Sequence, residues 1–204
     1  YTSTMGGDCM NYLIADKTII PEKNKKYYSE KIVYLPNSYM ANVSKVKTSE
    51  KLFTRQDVGL PAEGFVFCCF NKQYKITPTT FAGWMRILKA VDGSVLWLRE
   101  SSTESVDNLK KEAMKNGIDE SRLIFAPSLD LNEDHLSRQK LADLFLDTLP
   151  YNAHITASDA LRMGLPVLTC IGEAFSARVA ASLLKAVNLP EMITTTQEQY
   201  ERLA

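Results

Sequence analysis

One short stretch of the sequence combines side chains that could bind an anion or transfer a proton. The loop "LPYNAHI" comes after an apolar run and contains His154 near its end. Thr156 and Asp159 follow the loop. A helix that begins at Thr156 would place Asp159 in its first turn, and the two would form a capping pair of the Ser/Thr-x-x-Asp/Glu kind. The free backbone N–H groups at such a helix start also favour a phosphate. Capping explains Thr156 and Asp159, but it leaves His154 without a role.

A second candidate loop, "FNKQYKITP", contains Lys72, Gln73 and Lys75 between an apolar run and a predicted helix. Two lysines in front of a helix N-terminus suit a phosphate, because the backbone amides donate hydrogen bonds and each ammonium adds a mobile positive charge. A solvated basic loop is the alternative. The sequence contains neither G-x-x-x-x-G-K-[ST] nor G-x-G-x-x-G after a strand, so a P-loop and a Rossmann dehydrogenase are disfavoured.

His135 lies at a predicted helix start in the segment "APSLDLNEDHLSRQ". It could bind a ligand, or it could be a structural or solvated histidine; Asp130 or Asn132 would cap the helix. His135 and His154 are the two histidines of the chain, and its four cysteines lack the spacing of metal ligands. The sequence therefore predicts no metal site.

The composition limits the classes of partner. Lys and Arg together number 24, as do Asp and Glu, so the formal net charge is zero and argues against a broad nucleic-acid or anionic-membrane surface. No apolar run is long enough to span a bilayer. The scattered cysteines indicate free thiols in a reducing compartment. We expect a cytoplasmic globular protein that binds neither nucleic acid nor a membrane.

From Gly64 onward, short apolar runs rich in β-forming residues alternate with amphipathic helical segments. The predicted strands lie in "FVFCCF", "SVLWLRE", "RLIFAP", "LFLDT", "PVLTC" and "MITTT". The predicted helices lie in "TPTTFAGWMRILKAV", "SVDNLKKEAMKNG", "DHLSRQKLAD", "TASDALRMG", "SARVAASLLKAV" and "QEQYERLA". This alternation is typical of βαβ units, so we predict an α/β fold with a parallel sheet and right-handed crossovers.

Ligands of such sheets bind beyond the carboxyl ends of the strands. That rule selects four loops, which contain most of the polar residues considered above: 71–78, 99–104, 127–135 and 148–157. We predict one binding site at this edge of the sheet.

The part of the chain before residue 60 differs in character. It is rich in loops, with "KIVYLP" as a short strand and residues 41–59 as a linker or weak helix. The chain starts without Met, in what reads as a folded segment, so we expect a piece of a longer protein. We divide it into residues 1–60 and 61–204.

Several ordered blocks of the sequence resemble the carboxyl-terminal catalytic region of protein O-GlcNAc transferases, glycosyltransferase family 41, of the bacterial, SPINDLY-like type. They include "FCCFNKQYKITPTTFAGWMRIL", "EDHLSRQKLADLFLDT", "PYNAHITASDALRMGLPVLTC" and "GEAFSARVAASLL". The resemblance implies a GT-B architecture of two Rossmann-like lobes. Residues 61–204 would be the second, donor-binding lobe, and residues 1–60 a stub of the first lobe with a linker. Most of the first lobe and the tetratricopeptide repeats would lie outside this chain.

The resemblance also implies an activity. The family transfers GlcNAc from UDP-GlcNAc to Ser or Thr hydroxyls of acceptor proteins, with inversion and without a metal ion or another cofactor. Lys75 and His154 would be the catalytic residues of this lobe, because they would neutralise charge on the departing UDP. The implied donor-binding residues are Lys72, Gln73, Lys75, His135, His154, Thr156 and Asp159.

Individual roles follow from the same resemblance. His154 and Thr156 would lie at the phosphates, Asp159 would hold the ribose hydroxyls, and His135 would lie near the uridine or the phosphates. The chain departs from the family where it has Ile155 in place of a usual Thr, and Lys72 in place of a usual neutral amide. A non-catalytic UDP-binding or protein-interaction remnant, and a related glycosyltransferase with another sugar or acceptor, are the alternatives.

Overall fold

The computed structural model describes residues 2–42 and 47–204 of the chain. The strands are β1 Tyr12–Ala15, β2 Lys31–Tyr34, β3 Val66–Cys69, β4 Val95–Arg99, β5 Leu123–Ala126, β6 Leu144–Leu146, β7 Val167–Cys170 and β8 Ile193–Thr194. The α-helices are α1 Pro78–Ala90, α2 Thr103–Lys115, α3 Asn132–Arg138, α4 Ile155–Arg162, α5 Val179–Ala186 and α6 Gln197–Leu203. The predicted strands and helices of the second part of the chain are confirmed.

The main sheet has six parallel strands in the order β5-β4-β3-β6-β7-β8. This is the Rossmann order, because the chain builds outward from β3 in one direction and then returns to add β6, β7 and β8 on its other side. Phe67 and Cys68 of β3 lie opposite Leu144 and Phe145 of β6. The strand order reverses between β3 and β6, so a crevice opens beyond their carboxyl ends. The predicted Rossmann-like α/β fold is confirmed.

The central strands are buried on both faces, as their uninterrupted apolar sequences predict. All four residues of β3 are buried, including Cys68 and Cys69. Trp84 of α1 and Trp97 of β4 have no exposed surface and belong to the core. Helix α1 begins at Pro78 after Thr77, whose hydroxyl accepts a hydrogen bond from the N–H of Thr80. Thr77 is therefore the N-cap of α1.

Two other predicted helix caps are wrong. Helix α4 begins at Ile155, with His154 at the N-cap position, so Thr156 is the second helical residue and forms no capping pair with Asp159. The Thr156 hydroxyl instead donates a hydrogen bond to the Asn71 side chain, which a distant part of the sequence supplies. In α3, neither Asp130 nor Asn132 caps the helix.

The N-cap position of α3 is occupied by Leu131, which offers no side-chain acceptor, and Asn132 is the first helical residue. Of the predicted linker or weak helix over residues 41–59, positions 43–46 lie outside the described residues. The described remainder, residues 41–42 and 47–59, contains a 3-10 turn at Gln56–Val58 and no α-helix.

The first part of the chain forms a separate two-stranded parallel sheet of β1 and β2. The carboxylate of Asp16, which is buried, connects this sheet to the main domain. It accepts hydrogen bonds from the Tyr39 N–H at 2.9 Å and from the Ser182 hydroxyl of α5 at 2.7 Å. Arg178 adds a second connection, since its Nε donates to the Thr18 carbonyl at 2.6 Å. The division of the chain near residue 60 stays a prediction.

Candidate functional site

Three loops meet at the crevice between β3 and β6 and are joined through the side chain of Asn71, which is buried. Its Nδ2 donates to the Thr148 hydroxyl at 2.8 Å, and its Oδ1 accepts from the Thr156 hydroxyl at 2.5 Å. The Thr148 hydroxyl in turn donates to the carbonyl of Tyr151 at 2.7 Å. The end of β3, the loop after β6 and the start of α4 are therefore held in one arrangement.

Hydrogen bonds to Asp147, whose side chain is buried, also hold the loop after β6. Its carboxylate accepts hydrogen bonds from the N–H groups of Thr148 at 2.7 Å and Ala153 at 2.5 Å, and from the hydroxyl of Thr169 at 2.6 Å. Burial raises the pKa of Asp147 to about 7, although these hydrogen bonds and the charge of Lys75 oppose the rise. Asp147 thus fixes both ends of the 148–153 turn and places a titratable group beneath it.

Lys75 reaches this turn from the loop after β3. Its ammonium donates to the carbonyl of Asn152 at 2.9 Å and lies 4.1 Å from the centroid of the Tyr151 ring. Burial lowers the pKa of Lys75, and the neighbouring Asp147 opposes that effect. An ammonium has three donors, so two remain for a ligand at the crevice.

His154 also packs against Tyr151. Their rings stack with centroids 4.9 Å apart, and Nε2 of His154 lies 3.3 Å from the carbonyl oxygen of Ser176. Burial lowers the pKa of His154 to about 4, so the ring is neutral near pH 7. Because a carbonyl only accepts, Nε2 carries the proton and Nδ1 has a free lone pair. Lys75, Tyr151 and His154 form a stacked set at the crevice.

A cavity of about 290 Å³ opens next to the start of α4. It is lined by Phe70, Arg99, Ser128, Leu129, Asp130, Asn132, His135, Arg138 and Thr156. The ring of His135 stands edge-on to Phe70 with centroids 5.3 Å apart. Burial, together with the charges of Arg138 and Arg99, lowers the pKa of His135 to about 4. Aromatic rings beside several polar side chains suit a flat heterocyclic ligand that carries hydrogen-bonding groups.

A larger cavity of about 580 Å³ adjoins the first and shares Arg99 and Ser128 with it. Lys72 and Gln73 line this second cavity. The Gln73 side chain is already engaged, since its Nε2 donates to the Arg99 carbonyl at 3.2 Å and its Oε1 accepts from the Ser105 hydroxyl. Gln73 therefore joins the loops after β3 and β4, whereas Lys72 is exposed.

The structure brings most of the predicted site residues together. Lys75 and His154 both contact the Tyr151 ring, His135 and Thr156 line the smaller cavity, and Lys72 and Gln73 line the larger one. Asp159 is the exception. It lies on α4 one turn beyond the crevice and lines neither of the two cavities. Burial raises its pKa, and Arg162 opposes that rise.

Three residues of the site received no role from the sequence: Asp147, Tyr151 and Arg138. A signal for Asp147 was present, because it is a carboxylate that directly follows the apolar run of β6. Tyr151 and Arg138 gave no such signal, since an aromatic residue in a loop and an arginine on a helix are ordinary surface residues.

The donors of this site suit an anion. They are an ammonium, guanidinium groups and the N–H groups that begin α4. In the part of the chain that the structure describes, no group of three or more His, Cys, Asp or Glu side chains could hold a metal ion. Over the same residues, no helix combines the length and apolar character needed to cross a membrane.

The comparison with protein families agrees with this geometry. A model described as glycosyl transferase family 41 matches residues 40–204, which include the whole main sheet and every loop of the crevice. This chain belongs to glycosyl transferase family 41. The predicted family is thereby confirmed.

Curated members of family 41 align with nearly all of the chain. It is 35% identical to the probable UDP-N-acetylglucosamine–peptide N-acetylglucosaminyltransferase SEC of Arabidopsis thaliana over 100% of its own length and 21% of that relative. It is 36% identical to the UDP-N-acetylglucosamine–peptide N-acetylglucosaminyltransferase of Caenorhabditis elegans over 80% of its length and 14% of that relative. The chain spans about a fifth or less of the length of these relatives.

A solved structure of the family also matches. The O-GlcNAc transferase of Thermobaculum terrenum, in its K341M mutant form, superposes with a TM-score of 0.86 at 28% identity. The match covers 100% of this chain and 38% of that chain. The first part of the chain is included, so the β1–β2 sheet also has a counterpart in the family 41 structure.

Proposed function

We propose that this chain is the UDP-GlcNAc-binding part of an inverting glycosyltransferase that transfers GlcNAc to Ser or Thr hydroxyls of proteins. The observation that carries the proposal is the crevice at the reversal of strand order. There Lys75, the start of α4 and a cavity suited to a nucleoside lie side by side. The names of the family 41 relatives supply the substrate class. The nucleotide end of the donor would occupy the smaller cavity, and the diphosphate would lie between Lys75 and α4.

The start of α4 would bind the diphosphate mainly through its backbone. The first N–H groups of an α-helix have no acceptor within the helix, and the helix dipole favours an anion there. The Thr156 hydroxyl has donated its hydrogen to Asn71, so it has no second hydrogen for a phosphate. Ile155 still offers its N–H, because it is the first residue of α4 and its backbone does not depend on the side chain. The replacement of a usual Thr by Ile155 therefore leaves the proposed contacts in place.

The chemical contribution of this lobe would be to stabilise the leaving group. As the acceptor hydroxyl displaces UDP from the sugar, negative charge grows on the diphosphate. Lys75 and the α4 N-terminus are already oriented toward that position and can stabilise it without a metal ion or another cofactor. His154 would add a contact at the same oxygens. The group that removes the proton from the acceptor hydroxyl would come from the first lobe of the full-length protein.

We infer the remaining partners from the same proposal. They are acceptor proteins with Ser or Thr, the first lobe and the tetratricopeptide repeats of a longer protein in the cytoplasm, with no nucleic acid and no membrane. The test is transfer of labelled GlcNAc from UDP-GlcNAc to protein by the full-length gene product. Transfer that a Lys75→Ala variant loses is the expected result. If the full-length protein binds UDP but transfers no GlcNAc to Ser- or Thr-containing proteins, the proposal is wrong and the alternative, a non-catalytic UDP-binding remnant, is supported.

A further inference from the structure

Arg138 forms an unusual pair with His135 at the wall of the smaller cavity. Nη2 of Arg138 lies 2.9 Å and Nε 3.3 Å from Nδ1 of His135, and Nη1 donates to the Pro127 carbonyl at 2.8 Å. Arg138 is 2% exposed. Its guanidinium also lies 5.7 Å from the centroid of Phe70 and 5.9 Å from that of Trp97, contacts of the cation–π type. The guanidinium is therefore held in place from several sides.

This contact decides which nitrogen of His135 carries the proton. A guanidinium has donors only and stays charged, so the nitrogen that faces it must accept. Nδ1 is thus the unprotonated nitrogen, and in a neutral ring the proton lies on Nε2. Among the described residues, Nε2 of His135 has no hydrogen-bond partner, and it is not one of the polar atoms sealed from solvent. Its N–H is therefore open to a ligand.

We propose that Arg138 is a positioning residue that fixes His135 as the neutral Nε2–H tautomer, so that His135 donates to an uncharged oxygen of the donor nucleoside. The proposal rests on the proposed function and assigns His135 to the base or ribose rather than to the diphosphate. His135 lines the smaller cavity, where the nucleoside would lie, whereas the diphosphate would lie between Lys75 and α4. A carbonyl or hydroxyl oxygen is the matching acceptor.

The charges around His135 act in the same direction. Arg138 faces it from its own helix and Arg99 from β4, while Asp130 is the carboxylate that lines the same cavity. Burial and the two guanidinium groups disfavour the imidazolium and lower the pKa of His135 to about 4. The ring thus keeps its single proton throughout the physiological range. His154 differs, because it has a free Nδ1 lone pair.

The direct test is nitrogen-15 NMR of the histidine rings in the ligand-free protein. The chain has two histidines, so a His154→Gln variant leaves His135 as the single signal. We expect Nε2 to be protonated and Nδ1 to be unprotonated from pH 5.5 to pH 8. A His135 ring that carries its proton on Nδ1, or that titrates near its ordinary pKa of roughly 6.5, would overturn the proposal. This result does not depend on UDP binding.

Two variants separate positioning from packing. Arg138→Met removes the donors and the charge, and we expect His135 to show a mixture of tautomers and a higher pKa. Arg138→Lys retains the charge with a single ammonium and should keep part of the tautomer preference, even if the Met variant does not fold. If the Met variant folds and the His135 spectrum is unchanged in both variants, Arg138 does not fix the tautomer.

The pH profile of UDP binding tests the role of the donated hydrogen. Loss of one neutral hydrogen bond in His135→Ala should weaken UDP binding by roughly two- to tenfold, to the same extent at pH 6 and pH 8. A loss that grows as the pH falls would identify His135 as a cation at a phosphate and overturn the proposal. UDP binding that is absent in the unmodified chain would instead refute the proposed function, and the ring spectra would still decide the tautomer.

Discussion

The hydroxyl of Thr156 donates to Oδ1 of Asn71 at 2.5 Å, across 85 positions of sequence. This hydrogen bond joins the second residue of α4 to the end of β3 at the point where the strand order of the sheet reverses. Asn71 also donates to Thr148, which follows β6. The crevice is therefore organised by a buried amide before any ligand arrives.

Replacing Asn71 by Ala should destabilise the protein and loosen the crevice. The change removes the donor to the buried Thr148 hydroxyl and the acceptor of the half-buried Thr156 hydroxyl. Such losses cost about 1–3 kcal/mol each at most, so we expect unfolding by urea at a clearly lower midpoint. Thr79→Ala, at an exposed position of α1, is the matched control and should change stability by about 0.5 kcal/mol or less. Equal midpoints for the two variants would contradict a structural role for Asn71.

The contribution of Asp147 to the free energy of unfolding should fall as the pH rises. Its pKa is raised to about 7 in the folded protein, whereas an unfolded Asp titrates near roughly 3.9. The folded state therefore holds a proton that the unfolded state has lost, and this contribution declines as the pH rises from about 4 through 7. Asp147→Asn removes the titration. The variant should gain stability relative to the unmodified protein between pH 4.5 and pH 8, measured by urea unfolding; a constant difference would show that Asp147 is ionised throughout.

His154 should take up a proton when UDP binds. Its pKa is about 4 in the free protein, and a diphosphate beside it would favour the charged ring, with the new proton on Nδ1. Calorimetry at pH 6 in buffers of different ionisation enthalpy counts the protons exchanged. UDP can exchange protons itself, so the measured quantity is the difference between the unmodified protein and His154→Gln. Equal proton exchange by the two would place His154 away from the diphosphate.

Ile155→Thr tests whether the start of α4 binds through its backbone. The substitution introduces the residue that the family resemblance predicts at this position, which is 70% exposed, and it leaves the N–H unchanged. We expect stability to change by about 0.5 kcal/mol or less and UDP affinity to change by less than roughly tenfold. A much larger gain in affinity would mean that a side-chain hydroxyl at this position contacts the diphosphate.

The sequence predicts the strands and the location of the site well, for physical reasons. Runs such as that of β3 are apolar at every position because both faces of a parallel sheet are covered. The carboxyl ends of such strands then select the correct loops. The N-cap of α4 is His154, two residues before the predicted Thr156, whose hydroxyl bonds to Asn71 rather than to its own helix. Local patterns contain no information about a partner so distant in sequence.

Residue roles that depend on burial were likewise beyond the sequence. The amino-acid sequence does not show that the Asp147 side chain is buried under a turn, or that Arg138 and His135 contact each other at the wall of a cavity. The spacing of Arg138 and His135 permits contact on one helix face, but only the structure shows which ring nitrogen accepts. The family resemblance supplied the other predicted ligand residues, and their individual roles stay predictions.

The most direct test of the account is UDP binding measured by calorimetry for the unmodified chain, Lys75→Ala and Lys72→Ala side by side. Lys75 is half-buried at the turn after β6, whereas Lys72 is exposed, so the two lysines differ in position but not in charge. We expect the unmodified chain to bind UDP, and Lys75→Ala to weaken binding by roughly 10- to 150-fold with a smaller dependence on salt. Lys72→Ala should weaken it much less. No binding of UDP at millimolar concentration, or an affinity that Lys75→Ala leaves unchanged, would contradict the assignment of the crevice to the diphosphate.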